Sequence, residues 1–309
     1  MLTWGPMQKT ASRLLESLRS AGYRGELLRE TPLAPYTTWR IGGPAELLAQ
    51  PLDRDDLVIA VRWAVANEVP WRVLWNGSNL LVGDQGVRGL TIRVRKLLDS
   101  VTIDVPRLEA GAGAALPGVA NLAAQSGLAG LEFGAGIPGT VGGAVIMNAG
   151  WHEFEIANVV ERVSYLEPDG TIATYASASC GFGYRKSVFR GRSGVVLAAT
   201  LTLQQDDPEA VKARLDSFAA SRKANQPTEL PSCGSVFLKP AGDFAGRLIE
   251  LAGLKGLRVG DIQVSPKHAN FFVNLGRGTS ADVLTLVERV EREVFERFGV
   301  RLVREFDIW

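Results

Sequence analysis

Cysteine and histidine are nearly missing from this chain of 309 residues, which has only Cys180 and Cys233, His152 and His268. Two thiols are too few to frame a disulfide-stapled fold and suit a reducing compartment. Two histidines far apart in the sequence, outside any ligand spacing, argue against a zinc site, and no metal is expected. No apolar run approaches the length of a membrane-spanning helix, and the N-terminal stretch MLTWGPMQKTASRLLESLRSAGYRGE lacks an apolar signal core. A cytoplasmic protein is expected. The net charge of +1 removes any bulk electrostatic case for nucleic acid or a membrane surface, so an acidic ligand must be held by local groups. There is no internal repeat and no low-complexity tail. With 46% hydrophobic and 22% charged residues, the composition is that of an ordinary globular protein with material for two or three domains.

Glycine, by contrast, is concentrated. The stretch Gly127–Gly150, GLAGLEFGAGIPGTVGGAVIMNAG, carries glycine at 127, 130, 134, 136, 139, 142, 143 and 150. Glycine loses more backbone freedom on folding than any other residue. Such density is tolerated where the main chain turns sharply or lies directly against a ligand, with N–H groups aimed at phosphate oxygens. A second loop of the same kind, Asn76-Gly77-Ser78-Asn79-Leu80-Leu81-Val82, follows the apolar run Trp71–Trp75. Two such loops point to one phosphorylated cofactor. Gly134–Gly139 formally matches G-x-G-x-x-G, but Pro138 falls at the expected helix start and no strong strand precedes Gly134. A Rossmann site is rejected.

Periodicity and caps organise the rest as α+β. An amphipathic helix over residues 8–21 leads to a linker at Thr31–Pro35, so residues 1–30 stand apart as helix and linker. Residues 31–105 read as a first lobe. In it, strand Glu46–Ala49, a helix capped by Asp53 with Leu57, Val58, Val61, Ala64 and Val65 on one face, and strand Trp71–Trp75 form a β-α-β unit. Short strands at Leu90–Val94 and Val101–Val105 follow. Residues 106–205 read as a second lobe with a helix near Leu116–Gln125, a hairpin of Val159–Leu166 and Thr171–Tyr175, and strand Val195–Leu203. Residues 206–309 form a C-terminal α/β module. It holds a helix from Pro208, strand Ser235–Leu238, a helix stopped by Gly253 and strand Ala269–Asn274. A helix opened by the Thr279/Asp282 capping box buries Val283, Val287, Val290, Val294 and Phe298, and strand Val300–Phe306 ends the module.

Three groups stand out as candidates for chemistry. Arg185, in Phe182-Gly183-Tyr184-Arg185, suits a carboxylate in a partly desolvated site, or is a solvated loop arginine. Ser235 and Cys233, in Pro231-Ser232-Cys233-Gly234-Ser235, suit proton or nucleophile work, or are inert residues at a strand edge. Glu305 is a charge in an apolar terminal strand, where strict alternation would turn it outward. Cys233, His268 and Asn270 also stand in an order found in cysteine hydrolases. The plainer reading makes Cys233 a packing residue and His268 the start of a strand.

Six pieces of the sequence then resemble, in order over residues 31–306, the family of UDP-N-acetylenolpyruvoylglucosamine reductases, flavin-dependent UDP-N-acetylmuramate dehydrogenases of peptidoglycan synthesis. They are Thr38–Ala45, Gly77–Val82, Gly130–Gly150, Phe182–Arg185, Gly234–Phe237, and Gly253–Gly256 with Val264-Ser265 and His268–Phe271. The short connection from Phe189 to Pro231 is similar to the compact type II subtype. The resemblance implies a two-lobed FAD-binding domain of the vanillyl-alcohol oxidase type and a C-terminal substrate-binding domain. It implies FAD held by Gly77, Ser78, Asn79, Gly136, Ile137, Pro138, Gly139, Thr140, Gly142 and Gly143. No histidine or cysteine lies in Asn76–Val82 or Gly134–Gly150, so the flavin is expected to be non-covalent. NADPH is the implied co-substrate, and UDP-N-acetylglucosamine enolpyruvate the substrate, contacted by Tyr184, Lys239, His268 and Asn270. The resemblance also implies that Arg185 takes the charge that develops on the substrate carboxylate, that Ser235 gives the proton and that Glu305 supports both. No obligate protein partner is implied. The chain departs from the family pattern at Leu238-Lys239-Pro240, where Lys-Asn-Pro is common, and at Phe306-Asp307, where Val-Arg is common.

Overall fold

The computed structural model describes residues 5–94 and 97–309. Its helices among the described residues are α1 (Gly5–Ser20), α2 (Arg54–Ala66), α3 (Leu116–Gln125), α4 (Val141–Met147), α5 (Pro208–Asn225), α6 (Ala245–Leu251) and α7 (Ser280–Phe298). Main-chain contacts divide the described chain into two compact units. The first comprises the residues up to Glu30, Glu46–Asn76 and Arg88–Ala220. The second comprises Thr31–Ala45, Gly77–Val87 and Ser221–Trp309.

In the first unit, four strands lie in the order Glu26–Pro32, Pro44–Gln50, Val87–Arg93, Trp71–Leu74. Trp71–Leu74 runs parallel to Val87–Arg93 with Trp71 opposite Leu90, so a third strand is inserted into the β-α-β unit expected from sequence. Asp53 caps α2 as expected, its carboxylate accepting from Asp56 N at 2.9 Å. Leu57, Val61 and Ala64 face the core, whereas Val65 lies exposed one turn round the helix. A second, antiparallel sheet has the order Ile172–Ala176, Val160–Leu166, Val195–Thr202, Arg107–Gly111, Val101–Asp104. Its core joins Leu108, Ala110 and Leu201 to Phe133 and the alanine-rich face of α3, Ala120, Ala123 and Ala124. Small side chains there let the helix lie close to the glycine-rich segment that follows it.

The second unit is built on α6, α7 and a three-stranded antiparallel sheet of Arg258–Val259, Ile262–Val264 and Phe272–Asn274. Val283, Val287, Val290 and Val294 of α7 are fully buried, each contributing about 1.5–3 kcal/mol by leaving water. Phe298, one turn beyond, is exposed beside the αL residue Gly299 that ends the helix. Thr31–Ala45 and Gly77–Val87, read from sequence as part of the first lobe, pack in this unit. Buried Trp39 explains why: its Nε1 donates to Phe272 O at 2.8 Å, and its own carbonyl accepts from Asn274 Nδ2 at 3.0 Å.

The two strands expected at Ser235–Leu238 and Val300–Phe306 are reduced to single bridges, Ser235 with Phe271 and Phe237 with Arg304. The cause is local. The N–H and C=O of Phe237 are taken by the side-chain amide of Asn270, at 3.0 and 2.8 Å, in place of a strand neighbour. The terminal strand is instead Asp307–Ile308, parallel to Leu80–Leu81.

Candidate functional site

The glycine segment lies in the first unit. A 3-10 turn at Glu132–Gly134 leads through Gly136, with φ of +77°, to Thr140, which caps α4 by accepting from Gly143 N at 3.3 Å. The seven-residue α4 follows this turn, and the strand before it is only the two-residue Leu128–Ala129, antiparallel to Gln204–Gln205 and separated from α4 by the 3-10 turn, unlike the strand-to-helix turn of a Rossmann site. The N–H groups of Val141 and Gly142 donate to Ala114 O and Ala112 O at 2.9 and 2.8 Å, fixing the start of α4 on the 112–114 segment. A Cβ on Gly142 would stand 2.8 Å from two ring atoms of Trp75 and 2.9 Å from Ala112 Cβ, so the helix lies flat on the indole only because the residue is glycine. Among the described residues, none accepts from the N–H of Gly136, Gly139 or Thr140. Gly136 and Pro138 are exposed, Ile137 and Gly139 half-buried. This surface turn with main-chain donors suits a phosphate or the polar edge of a flavin ring, and Gly143 is open enough to let a ligand approach the backbone.

Arg185 belongs to the same unit, at a tight turn closed by Gly183 and Lys186, and its own φ is +52°. Its guanidinium donates to Gly150 O at 2.9 Å and to Asn148 O at 3.4 Å, and lies 5.1 Å from the centroid of the exposed Tyr184 ring. The last turn of the glycine segment thus carries the arginine. It is half-buried, which suits a carboxylate partner stripped of part of its water.

In the second unit, Gly77 is buried with φ of +59°, and a Cβ there would stand 2.5 Å from Tyr36 O. Ser78 and Asn79 beside it are half-buried. Asn79 brackets the terminal segment: its Nδ2 donates to Glu305 O at 3.2 Å and its carbonyl accepts from Asp307 N at 3.0 Å. Glu305 N in turn donates to Val236 O at 2.8 Å, next to Ser235. The loop, Ser235 and Glu305 are therefore joined by main-chain hydrogen bonds. Both side chains are half-buried, because the run 302–306 does not keep strict alternation.

Lys239 is exposed, with Nζ 4.4 Å from the Phe244 ring centroid. His268 packs edge-on to Phe271, centroids 4.8 Å apart, and its Nδ1 accepts from Asn270 N at 3.2 Å. A main-chain N–H only donates, so the neutral ring carries its proton on Nε2. Burial holds the His268 pKa below the ordinary histidine value, which favours that neutral form. Asn270, read from sequence as a substrate contact, is buried with its amide engaged on Phe237, where it orders the segment next to Ser235. Cys233 is buried as well. Its thiol is pushed well above the ordinary value by burial first and then by the Glu305 charge, the reverse of an activated nucleophile. That removes the hydrolase arrangement of Cys233, His268 and Asn270.

Sequence reasoning passed over Trp75, which forms the wall under Gly142, and Asn148, whose carbonyl meets Arg185. An asparagine closing a helix just before Ala-Gly was the available signal, since asparagine favours the αL cap. No group of three or more His, Cys, Asp or Glu side chains among the described residues is placed to hold a metal, and no described helix is long and apolar enough to cross a membrane.

Comparison with known proteins bears on both units. A family model described as an FAD binding domain matches residues 45–176. One described as the C-terminal domain of UDP-N-acetylenolpyruvoylglucosamine reductase matches residues 226–309. The chain is 44% identical over 303 residues to UDP-N-acetylenolpyruvoylglucosamine reductase 2 of Symbiobacterium thermophilum, covering 98% of this chain and 97% of that protein. It is 49% identical over 277 residues to the Rubrobacter xylanophilus reductase of the same name, covering 89% and 93%. The crystal structure of the Thermus caldophilus reductase superposes with a TM-score of 0.79 at 41% identity, covering 93% of this chain and 99% of that one.

Proposed function

The chain belongs to the UDP-N-acetylenolpyruvoylglucosamine reductase family, and on that premise we propose that it reduces UDP-N-acetylglucosamine enolpyruvate to UDP-N-acetylmuramate with NADPH as electron donor. What carries the reading is the near full-length match to reductases of that name. The surface turn at Gly136–Thr140 fits FAD, because its main-chain N–H groups are bare where a ligand oxygen would accept from them, while Gly142 on Trp75 and the left-handed Gly77 fit it by letting the main chain of each loop pack closely on its own unit. When bound, FAD supplies the hydride chemistry, which no protein side chain provides.

The residues do the rest. Reduction of an enol ether at its methylene carbon builds negative charge on the neighbouring carboxylate. Arg185, pre-oriented by Gly150 O and Asn148 O, neutralises it without reorganising. The adjacent carbon then takes a proton from Ser235 Oγ. A serine is a weak acid in water, so it needs a polarised setting. Glu305, hydrogen-bonded through its main chain to the residue after Ser235, orients the hydroxyl and steadies the intermediate. Tyr184, Lys239 and His268 contact substrate, while Asn270 acts through Phe237. A cytoplasmic setting is supported by the two free, buried thiols.

The Ser235→Ala holoenzyme tests the assignment. Flavin reduction by NADPH stays near normal and substrate-dependent reoxidation slows by ~10² or more. Equal slowing of both half-reactions would make Ser235 a residue of the fold or the cofactor site.

A further inference from the structure

Asn148 is fully buried and adopts the left-handed conformation, φ 45° and ψ 58°, at the C-terminal cap of α4. Its side chain makes three contacts. Nδ2 donates to Glu155 Oε2 at 2.7 Å and to Gly183 O at 3.0 Å, and Oδ1 accepts from Ala157 N at 3.1 Å. Its carbonyl accepts from Arg185 at 3.4 Å. One residue thus ties the end of the glycine-segment helix to the Gly183–Lys186 turn that carries Arg185, and to the hairpin whose Gly150 carbonyl holds the guanidinium at 2.9 Å. That hairpin is tight at its base, since a Cβ on Gly150 would stand 2.2 Å from Phe154 O. Capping a helix needs only the αL backbone, which glycine supplies equally well. The three side-chain bonds therefore serve something beyond the cap. Two of them, to Gly183 and to Glu155, lead to the turn and the hairpin that aim Arg185.

We infer that Asn148 is a positioning residue for the reaction: it sets the direction of the Arg185 guanidinium, an inference that rests on Arg185 acting on the substrate carboxylate. Arg185 sits at φ of +52°, a conformation costly for a residue with a Cβ. An unsupported turn would relax from it and carry the guanidinium away from its aim. The Gly183 carbonyl that Asn148 holds is two residues from Arg185, so loss of that bond acts on the turn directly.

The experiment is a double-mutant cycle on the holoenzyme, reading reoxidation of dithionite-reduced flavin by UDP-N-acetylglucosamine enolpyruvate, which keeps NADPH out of the measurement. Asn148→Gly retains the αL backbone and removes all three side-chain bonds. Reoxidation is expected to slow by ~10 to 10²-fold, as for a small misplacement of a catalytic group, with FAD content and flavin reduction unchanged. In an Arg185→Ala background the same change is expected to add less than about twofold, since residues acting through one another are not additive. Multiplicative effects in the cycle overturn the inference. Arg185→Ala reoxidising at the parent rate overturns the functional assignment of Arg185 itself, a separately readable result. Asn148→Asp gives a second handle. It puts a carboxyl against that of Glu155, so its reoxidation rate is expected to recover as falling pH lets the pair share a proton. A flat pH profile relative to the parent, or loss of FAD in both variants, would make Asn148 a residue of the fold alone.

Discussion

Asn270→Ala strips two partners from one buried peptide at once. Phe237 is 1% exposed, and its N–H and C=O have the Asn270 amide in place of a strand neighbour. An orphaned buried main-chain group costs about 1–3 kcal/mol, so the pair costs about 2–6 kcal/mol. Against a typical total of about 5–15 kcal/mol, that is a large fraction. Urea unfolding followed by tryptophan fluorescence should show a clearly lower midpoint with an unchanged slope. Asn270→Asp keeps an acceptor for Phe237 N but sets a carboxylate oxygen against Phe237 O. Its loss at neutral pH should be intermediate and should shrink on acidification. The sign follows from linkage: a carboxyl facing a carbonyl has its folded pKa raised above the unfolded value of about 3.9, so the penalty is present above the folded pKa and disappears as pH falls through it. Because Phe237 stands two residues from Ser235, the Ser235 segment shifts with the loss of the amide and turnover falls alongside stability. An alanine variant within about 0.5 kcal/mol of the parent, inside the range of neutral surface changes, would refute the reasoning. So would an aspartate variant whose deficit is the same at high and low pH.

Glu305→Gln keeps shape and removes charge, so FAD content should hold while enolpyruvate reduction falls by ~10²-fold or more; normal turnover would place the carboxylate outside the chemistry. Gly142→Ala forces a methyl to within 2.8 Å of the Trp75 ring. It should cost about 1–3 kcal/mol and lower FAD occupancy after gel filtration, and an undisturbed holoenzyme would show that α4 yields more easily than its contacts imply. Cys233, buried and with its thiol pKa raised, should resist iodoacetamide in the native protein and react only on unfolding. Rapid alkylation with loss of activity would revive a nucleophilic role.

The parts of the fold legible in the sequence are those set by local physics. The Asp53 cap and the Thr279/Asp282 capping box were readable because a side chain and a main-chain N–H three residues apart determine them, and the start of α3, which has no side-chain cap, is marked by Pro117 in its first turn. The Ser235–Leu238 and Val300–Phe306 segments look like strands by composition, yet the amide of Asn270 displaces the ladder from 33 residues away. No periodicity reports such a substitution. The hydrogen bond from Trp39 to Phe272 spans 233 positions, and Thr31–Ala45 and the Gly77–Val82 loop fall in the second unit with it. The candidate site shows the same split. Gly142, Arg185, Ser235 and Glu305 were marked by residue type in context, a glycine run, an arginine among aromatic residues, a small polar residue at a strand edge and a charge in an apolar strand. Asn148 carries an ordinary side chain whose partners, the Glu155 carboxylate and the main chains of Gly183 and Ala157, no sequence pattern reports, and Asn270, named from sequence for a substrate contact, has its amide on the main chain of Phe237.

Anaerobic titration of the yellow holoenzyme tests the central claim most directly. NADPH should bleach the flavin. UDP-N-acetylglucosamine enolpyruvate should then restore its absorbance with stoichiometric formation of UDP-N-acetylmuramate. A bleached flavin that stays reduced in the presence of that substrate, and recovers only when air is admitted, would contradict the account.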